Sequence, residues 1–507
     1  MRIPTTINMK ADTRDAIVTT LAEKWPLSAK EVYSEVKENQ GLNITYQGIH
    51  KVLNQLVDER TVVIQDRKYL LSAEWVKTLK KFAETAEKNY LKEKNAPYLQ
   101  VGTGSSIEND AFYAGREAAE KALKQINHQI NNNLRLVLVF ASGSYDDYDE
   151  ILKGIRSITK SAPLAGCSTL GEINNKRLEK SVTTIVFSAD ESIFSAKIIP
   201  ITIPRYNEAK TFEESFKILQ QKTKLNQKFP EVGLIFFPGY SRENSFRVLT
   251  TEFLREFSNK FSPMFPITGC LSGQWSFNTT KQFCNDKIYS DQAVFVAIYT
   301  RLKVGTRRSH GYEAISGVRY KLKVRGGIVK EMARIRKGIV GEYKPAREVY
   351  TKDSGMTISE LTALPEIRAL LAQNKTLPIT RIADSIHGYP AVLTEDGIQF
   401  NNTFEDGDIV EISRTTPEKA ISATKEAVKE AIAQGSIKSP NFVLLFSCAS
   451  LLAILEPHNL DEIEKIKKQL NNVKIAGCYN LAEIGPLSTQ QANGTVVALV
   501  FGNELRE

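Results

Sequence analysis

Apolar residues along this chain recur in two rhythms, one helical and one of short unbroken runs. Thr13 to Ala22 carries Ile17, Val18 and Leu21 on one side and closes at Trp25-Pro26, as proline ends a helix at the residue before it. Ser28 with Glu31 makes a capping box that opens a second helix through Val32 and Val36. A third helix, Thr45 to Asp58, spaces Ile49, Val52, Leu53, Leu56 and Val57 as one apolar stripe and leaves Tyr46, Gln47, His50, Lys51 and Asn54 on the other face. Val62 to Gln65 and Tyr69 to Leu71, joined at Asp66, Arg67 and Lys68, read as two short strands. Three helices and a hairpin is the winged helix-turn-helix order. Leu71 to Leu91 reads as a further amphipathic helix with Trp75, Leu79, Phe82 and Ala83 on one side, either a linker or a pairing surface in a homodimer. Pro97 and Gly-Thr-Gly-Ser-Ser at 102 to 106 mark a boundary.

After residue 110 the pattern repeats three times. In the first copy a helix (Ala111 to Ile126) leads to a strand (Leu136 to Phe140), a helix (Tyr148 to Thr159), a turn at Pro163-Leu-Ala-Gly-Cys167 and a strand (Val182 to Phe187). The middle copy has a strand at Leu234 to Phe237, a helix at Asn244 to Phe257, a turn at Ile267-Thr-Gly-Cys270 and a strand at Ala293 to Tyr299. The last has a helix at Pro417 to Ala433, a strand at Phe442 to Phe446, a helix at Leu460 to Leu470, a turn at Ile475-Ala-Gly-Cys478 and a strand at Val496 to Phe501. Strands alternating with long helices predict layered α/β architecture. The expected fold class is therefore α/β, with an amino-terminal winged helix followed by a large α/β region of two halves with internal repeats.

Gly166-Cys-Ser-Thr-Leu-Gly-Glu-Ile173 and Gly477-Cys-Tyr-Asn-Leu-Ala-Glu-Ile484 share Gly, Cys, Leu, Glu and Ile in register, and the middle copy has Trp275 where the acid is expected. These two runs resemble the two halves of the FIST sensor family. Further matches are the runs at 395 to 400 and 404 to 408 and Asn493-Gly-Thr495, the last preceded by Ala492 where the family often has histidine. The resemblance covers roughly residues 110 to 503 and implies a sensory module for small ligands, with amino acids as the class. The first stretch, with Thr-Tyr-Gln-Gly-Ile-His-Lys-Val-Leu-Asn-Gln-Leu from Thr45 and Tyr-Leu-Leu-Ser from Tyr69, resembles winged-helix domains of archaeal transcription regulators. Expected domains are 1 to 75 (winged helix), 76 to 100 (helical linker), 101 to 300 (FIST N-like half) and 301 to 507 (FIST C-like half).

Each motif residue has a chemical reading. A glycine at a strand end lets backbone amides face a ligand. Around Gly166, Gly269 and Gly477 the expected ligand contacts are Ser142, Cys167, Ser168, Thr169, Glu172, Cys270, Cys478, Tyr479, Asn480, Glu483 and Asn493. The glutamates would take an ammonium group; alternatively they cap the following turn. Gln47, His50, Lys51 and Asn54, with Tyr46, would read bases, and Arg67 and Lys68 would hold phosphates. A nucleophilic cysteine needs a neighbouring base, and none of His50, His128, His310, His387 and His458 falls inside a Gly-Cys motif, so no enzyme activity is expected.

Composition narrows the rest. At 507 residues, 42% hydrophobic and 25% charged, the chain is of ordinary globular make-up. Five cysteines without a Cys-x-x-Cys pair argue against a disulfide framework and a zinc ribbon, and no phosphate-loop pattern appears; no metal or cofactor is expected. Apolar runs are too short to span a bilayer and the polar opening has no signal core, so a cytoplasmic protein without membrane contact is expected. Residues 1 to 75 hold ten basic and ten acidic side chains, a neutral balance that suits protein contact as well as DNA, whereas residues 301 to 348 hold fourteen basic and four acidic ones within a chain of net +9. Expected partners are a small molecule and, through the first domain, DNA.

Overall fold

The computed structural model describes residues 12–40, 44–93, 98–126, 133–203, 212–223, 228–239, 247–261, 264–274, 279–362, 377–458, 461–470, 473–486, 488 and 490–506. They form two units, divided between Pro97 and Tyr98. In the first, Asp12 caps the helix Thr13–Glu23, and Ser28 and Glu31 exchange backbone bonds at the start of Ala29–Gln40, as the capping box requires. Thr45 caps the third helix, Tyr46–Asp58. Val62–Gln65 pairs antiparallel with Lys68–Leu71 through a two-residue turn whose Asp66 and Arg67 both lie at positive φ, the type I′ requirement. Ile17, Leu21, Val32, Val36, Leu53, Leu56 and Trp75 fill the small core beneath. The next helix is Ala73–Glu93.

The second unit is built from three copies of one pattern: strand, helix, strand, helix, strand, short arm, strand. In the first copy the strands are Leu99–Ser106, Leu134–Ser142, Leu164–Thr169 and Val182–Ala189, with helices Ala111–Leu123 and Tyr148–Thr159 between them. The second copy has strands Phe194–Thr202, Val232–Phe237, Ile267–Leu271 and Gln292–Thr300. The third has Leu302–His310, Pro440–Cys448, Lys474–Asn480 and Thr495–Leu505. In each copy the two middle strands run parallel and the last lies antiparallel between them and the first. The stretch expected as a boundary, Gly102 to Ser106, is instead part of a buried first strand. Its glycines reflect close packing: a Cβ on Gly102 or Gly104 would lie 2.0 Å from the carbonyl oxygen of Ala122 or 2.1 Å from that of Ala118 on the covering helix.

The copies are tied by exchanged arms. Gly171–Asn174 of the first copy joins the third sheet beside Lys474–Asn480, Ala482–Ile484 of the third joins the second beside Ile267–Leu271, and Gln282–Cys284 of the second joins the first beside Leu164–Thr169. The exchange is cyclic, so each sheet is completed by a neighbour.

A large insert separates the first strand of the third copy from its helix Pro417–Gln434. Its mixed-length strands form one sheet in the order 386–388, 379–381, 409–414, 313–325, 328–336, 397–400, 390–394, with 339–345 added beside 328–336. Tyr320, Leu322, Met332, Val349, Tyr350 and Val410 make its separate core against the helix Ala346–Ser354. No described helix is long and apolar enough to cross a membrane.

Candidate functional site

The three Gly-Cys motifs meet at the centre of the second unit. They are not turns but the middles of buried strands: Gly166, Gly269 and Gly477 sit where a Cβ would be 1.8, 1.9 and 1.8 Å from the carbonyl oxygens of Val139, Ile235 and Leu445 on the parallel neighbour. The following cysteines, Cys167, Cys270 and Cys478, pair across those ladders with Phe140, Phe236 and Phe446. The three phenylalanine rings touch one another at 5.9, 6.1 and 6.1 Å in tilted-edge geometry, and all six side chains lie in one apolar cluster. Cys167 and Cys270 bring their sulfurs to 4.0 Å. Burial pushes the thiols of Cys270 and Cys478 well up, which keeps them protonated.

The motif glutamates lie on the exchanged arms, each opposite a cysteine of the next copy: Glu172 faces Cys478 and Glu483 faces Cys270. Both are fully buried. Glu172 accepts the Thr169 hydroxyl and both the amide (3.1 Å) and hydroxyl (2.7 Å) of Ser181. Glu483 accepts the amide (3.3 Å) and hydroxyl (2.8 Å) of Thr495, the corresponding residue at the start of the last strand. With its amide oriented to suit its neighbours, Asn480 also donates to Glu483 Oε1 at 2.7 Å. Desolvation raises Glu172 to about 7 although these donors pull it down. Trp275 lies outside the described residues. The position opposite Cys167 is held by Gln282, whose Nε2 donates to Ser272 at 3.0 Å while its buried Oε1 has no partner. The middle copy therefore has a neutral counterpart of the acid, hidden by a longer loop after its Gly-Cys.

The remaining expected contacts are distributed. Ser142, at the end of its parallel strand, accepts from Ser144; Ser168 Oγ accepts the amide of Lys281. Tyr479 donates to buried Glu462 at 2.6 Å. Asn493 reaches the insert, donating to Asn401 Oδ1 at 3.2 Å.

Around Asn493 lies a polar cluster that sequence reasoning missed. His387, from the insert, is fully buried with its ring 4.6 Å from His310 and 4.7 Å from Tyr312 of the third copy. The Thr380 hydroxyl donates to Ser413 Oγ at 2.7 Å and so accepts from His387 Nδ1 at 2.7 Å. That tautomer leaves Nε2 a bare acceptor, and among the described residues no group bonds to it. Burial, then the nearby His310 and Arg308, holds His387 well below its ordinary value, hence neutral. The Tyr312 and Tyr389 hydroxyls bond to each other, Ser450 donates to Cys448 Sγ at 3.1 Å, and burial with nearby Glu483 pushes that thiol up to about 12. Arg308 donates to Ser488 and to the Asp384 carbonyl; desolvation weakens its hold on its proton while Asp384 and Glu483 oppose this. Histidine and tyrosine scattered from His310 to Tyr389 carry no spacing signal, since the insert brings them together only in three dimensions. The arrangement can accept a donor at His387 and offer a cation at Arg308. Among the described residues no group of three or more His, Cys, Asp or Glu is disposed to hold a metal ion.

A FIST N domain matches residues 135–334 and a FIST C domain residues 348–486. The chain contains both domains of a FIST sensor. FIST domains indicate a signal-transduction sensor, and the FIST C match covers the insert from its first helix together with most of the third copy. No curated protein matches the chain. Among solved structures, cyanuric acid hydrolase from A. caulinodans aligns at 10% identity with a TM-score of 0.24 over 40% of this chain and 72% of that one. Phosphoribosylformylglycinamidine synthase II from Thermotoga maritima aligns at 10% identity with a TM-score of 0.17 over 80% of this chain and 72% of that one. Likenesses this remote carry no argument about function.

Ahead of the FIST domains, the helix Tyr46–Asp58 buries Ile49, Leu53 and Leu56 and exposes Tyr46, Gln47, His50, Lys51 and Asn54, while Val52 and Val57 are only half-buried. Tyr46 packs edge-on against both Tyr33 and His50. Arg67, in the hairpin turn, and Lys68, at the start of its second strand, are exposed.

Proposed function

We propose that this protein is a one-component transcription regulator, in which a FIST sensor takes up a small metabolite and a winged-helix unit binds DNA. One observation carries the DNA-binding half: the third helix turns a face of amide, imidazole and ammonium tips to solvent with no acid before Asp58, beside a hairpin tipped by Arg67 and Lys68. Such tips suit base edges in a major groove, with the hairpin cations on phosphates. On the sensor side, the ligand is assigned to the cluster between the third copy and the insert, where the free Nε2 of His387 awaits a donor and Arg308 suits a carboxylate. An amino acid or a related carboxylate satisfies both, and Glu483 lies near enough to Arg308 to influence its charge.

The test is a fluorescence-polarization titration of the whole chain against genomic fragments at fixed salt. Gln47→Ala and Asn54→Ala should retain fold and lose sequence preference, each by about 1–3 kcal/mol of discrimination. A second reading, an adaptor whose first unit docks on protein, is favoured by exposed Val63 (43%) and Ile64 (52%) on the hairpin and by the unit's neutral charge. Unaltered fragment preference in both variants decides for the adaptor. A thermal-shift screen with amino acids and carboxylates, repeated on His387→Phe, tests the ligand site: a ligand at a hundredfold its Kd stabilises by about 2.7 kcal/mol, and this gain should vanish in the variant.

A further inference from the structure

The FIST insert has an outer face that neither the ligand site nor the reading helix uses. Residues 313–325, 328–336 and 339–345 form an antiparallel meander. Strand alternation sends Tyr320, Leu322 and Met332 into the insert's core and Arg319, Lys321 and Lys323 to the opposite side. Arg325 ends the first strand at the Gly326-Gly327 turn, and Arg336 and Lys337 flank the turn at Gly338; all three are exposed. Every one of those turn glycines has positive φ and nothing within 4 Å of a built Cβ, so the backbone there is open to close approach.

Charge concentrates on this segment. Residues 301 to 348 carry +10 in a chain of +9, leaving −1 for everything else. Acids meet this strand as well: Glu411 pairs with Arg319 at 3.1 Å, Glu331 pairs with Lys323 at 2.7 Å, and Asp406 accepts the Val324 amide at 2.9 Å, while the two paired cations stay about half exposed (57% and 47%). Exposed pairs of this kind are weak, so a polyanion displaces them readily. Lys323 also lies 4.3 Å over the Tyr343 ring, which fixes its stem against the sheet.

We propose that this face of the insert is a second nucleic-acid contact, holding the phosphate backbone of duplex DNA without reading its sequence. The inference shares its partner with the function proposed above, and its test separates the two. Full-length protein is titrated with a random-sequence duplex of about 30 base pairs across a salt series. In the triple variant Lys321→Gln, Lys323→Gln, Arg325→Gln, affinity should fall about tenfold or more and the slope of log K against log salt should shrink by about 2–3, at roughly 0.9 per phosphate lost. The variant Lys321→Arg, Lys323→Arg, Arg325→Lys keeps the charges and should keep both quantities. An unchanged slope in the glutamine variant, its melting temperature intact, overturns the proposal, as does a wild-type chain that fails to bind the duplex at low salt. The hairpin variant Arg67→Gln, Lys68→Gln distinguishes the two ideas. If it alone loses binding, the winged-helix reading stands and the insert contact falls; if the insert variant alone loses binding, the reverse holds.

Discussion

A single hydrogen decides whether the centre of the FIST unit can form. Gly477 lies so close to the parallel strand that a methyl group would sit 1.8 Å from the Leu445 carbonyl oxygen, and the same contact recurs at Gly166. Neither strand can move away without parting the phenylalanine and cysteine contacts on the axis. Gly477→Ala should therefore lose more than about 4 kcal/mol of stability, in the range reserved for a named steric conflict, whereas Gly326→Ala, with open space around its Cβ, should cost roughly 1 kcal/mol for its positive φ. Urea unfolding of both variants measures the difference, and similar midpoints would refute the packing account. A residue pattern alone pointed to these glycines as special but assigned them to turns, because glycine after a run of apolar residues usually ends a strand. What distinguishes the two cases is how near the adjacent backbone comes, and that distance leaves no mark on the residue's own neighbours in sequence. The same limit hid Gln282: its equivalence to Glu172 and Glu483 rests on pairing register, not on spacing from the glycine.

At the scale of elements, the long ones were legible and the short ones were not. The helix Tyr148–Thr159 and the strands around Leu136, Phe442 and Val496 follow from periodicity because each buries enough side chains to dominate its own pattern. The arms Gly171–Asn174, Gln282–Cys284 and Ala482–Ile484 are only three or four residues long and pair with strands roughly 200 to 300 residues away in two of the three cases, so no local signal names their partners. Yet they make the three copies interdependent. A fragment of residues 98 to 300 keeps every strand of the first two copies but strips Ile267–Leu271 of Ala482–Ile484, leaves Gly171–Asn174 without a sheet and removes Phe446 and Cys478 from the axis. Circular dichroism should show that it has no cooperative thermal transition, whereas residues 98 to 507 melt in one. A sharp transition in the short fragment would mean that each copy is stable alone and that the exchange is incidental.

Over the whole molecule, buried carboxyls make stability depend on pH in an unusual direction. Glu172 and Glu462 both titrate near 7 in the folded protein because burial disfavours their charge, against about 4.3 in an unfolded chain. Between those values the native state binds more protons than the unfolded one, so each carboxyl draws stability down as pH rises from about 4.5 to about 7 and contributes no further change above that. The size is on the order of 3 kcal/mol for each group. His387 acts oppositely: held neutral by burial, it makes the protein lose stability as pH falls below about 6.5. A melting curve of the wild type alone therefore mixes two slopes, and the informative quantity is the difference between wild type and Glu172→Gln. Glutamine imitates the protonated acid, can donate to Thr169 and accept from Ser181, and already occupies the equivalent position in the second copy as Gln282. The variant's melting temperature should lie near or below that of wild type at pH 5, gain on it steadily to about pH 7 and hold a constant advantage above. Glu172→Ala, which leaves the Ser181 amide and hydroxyl without an acceptor, should be less stable than Glu172→Gln throughout that range. A difference curve that stays flat from pH 5 to 8 would show that Glu172 is ionised in the folded protein at neutral pH, with its Thr169 and Ser181 donors outweighing the desolvation.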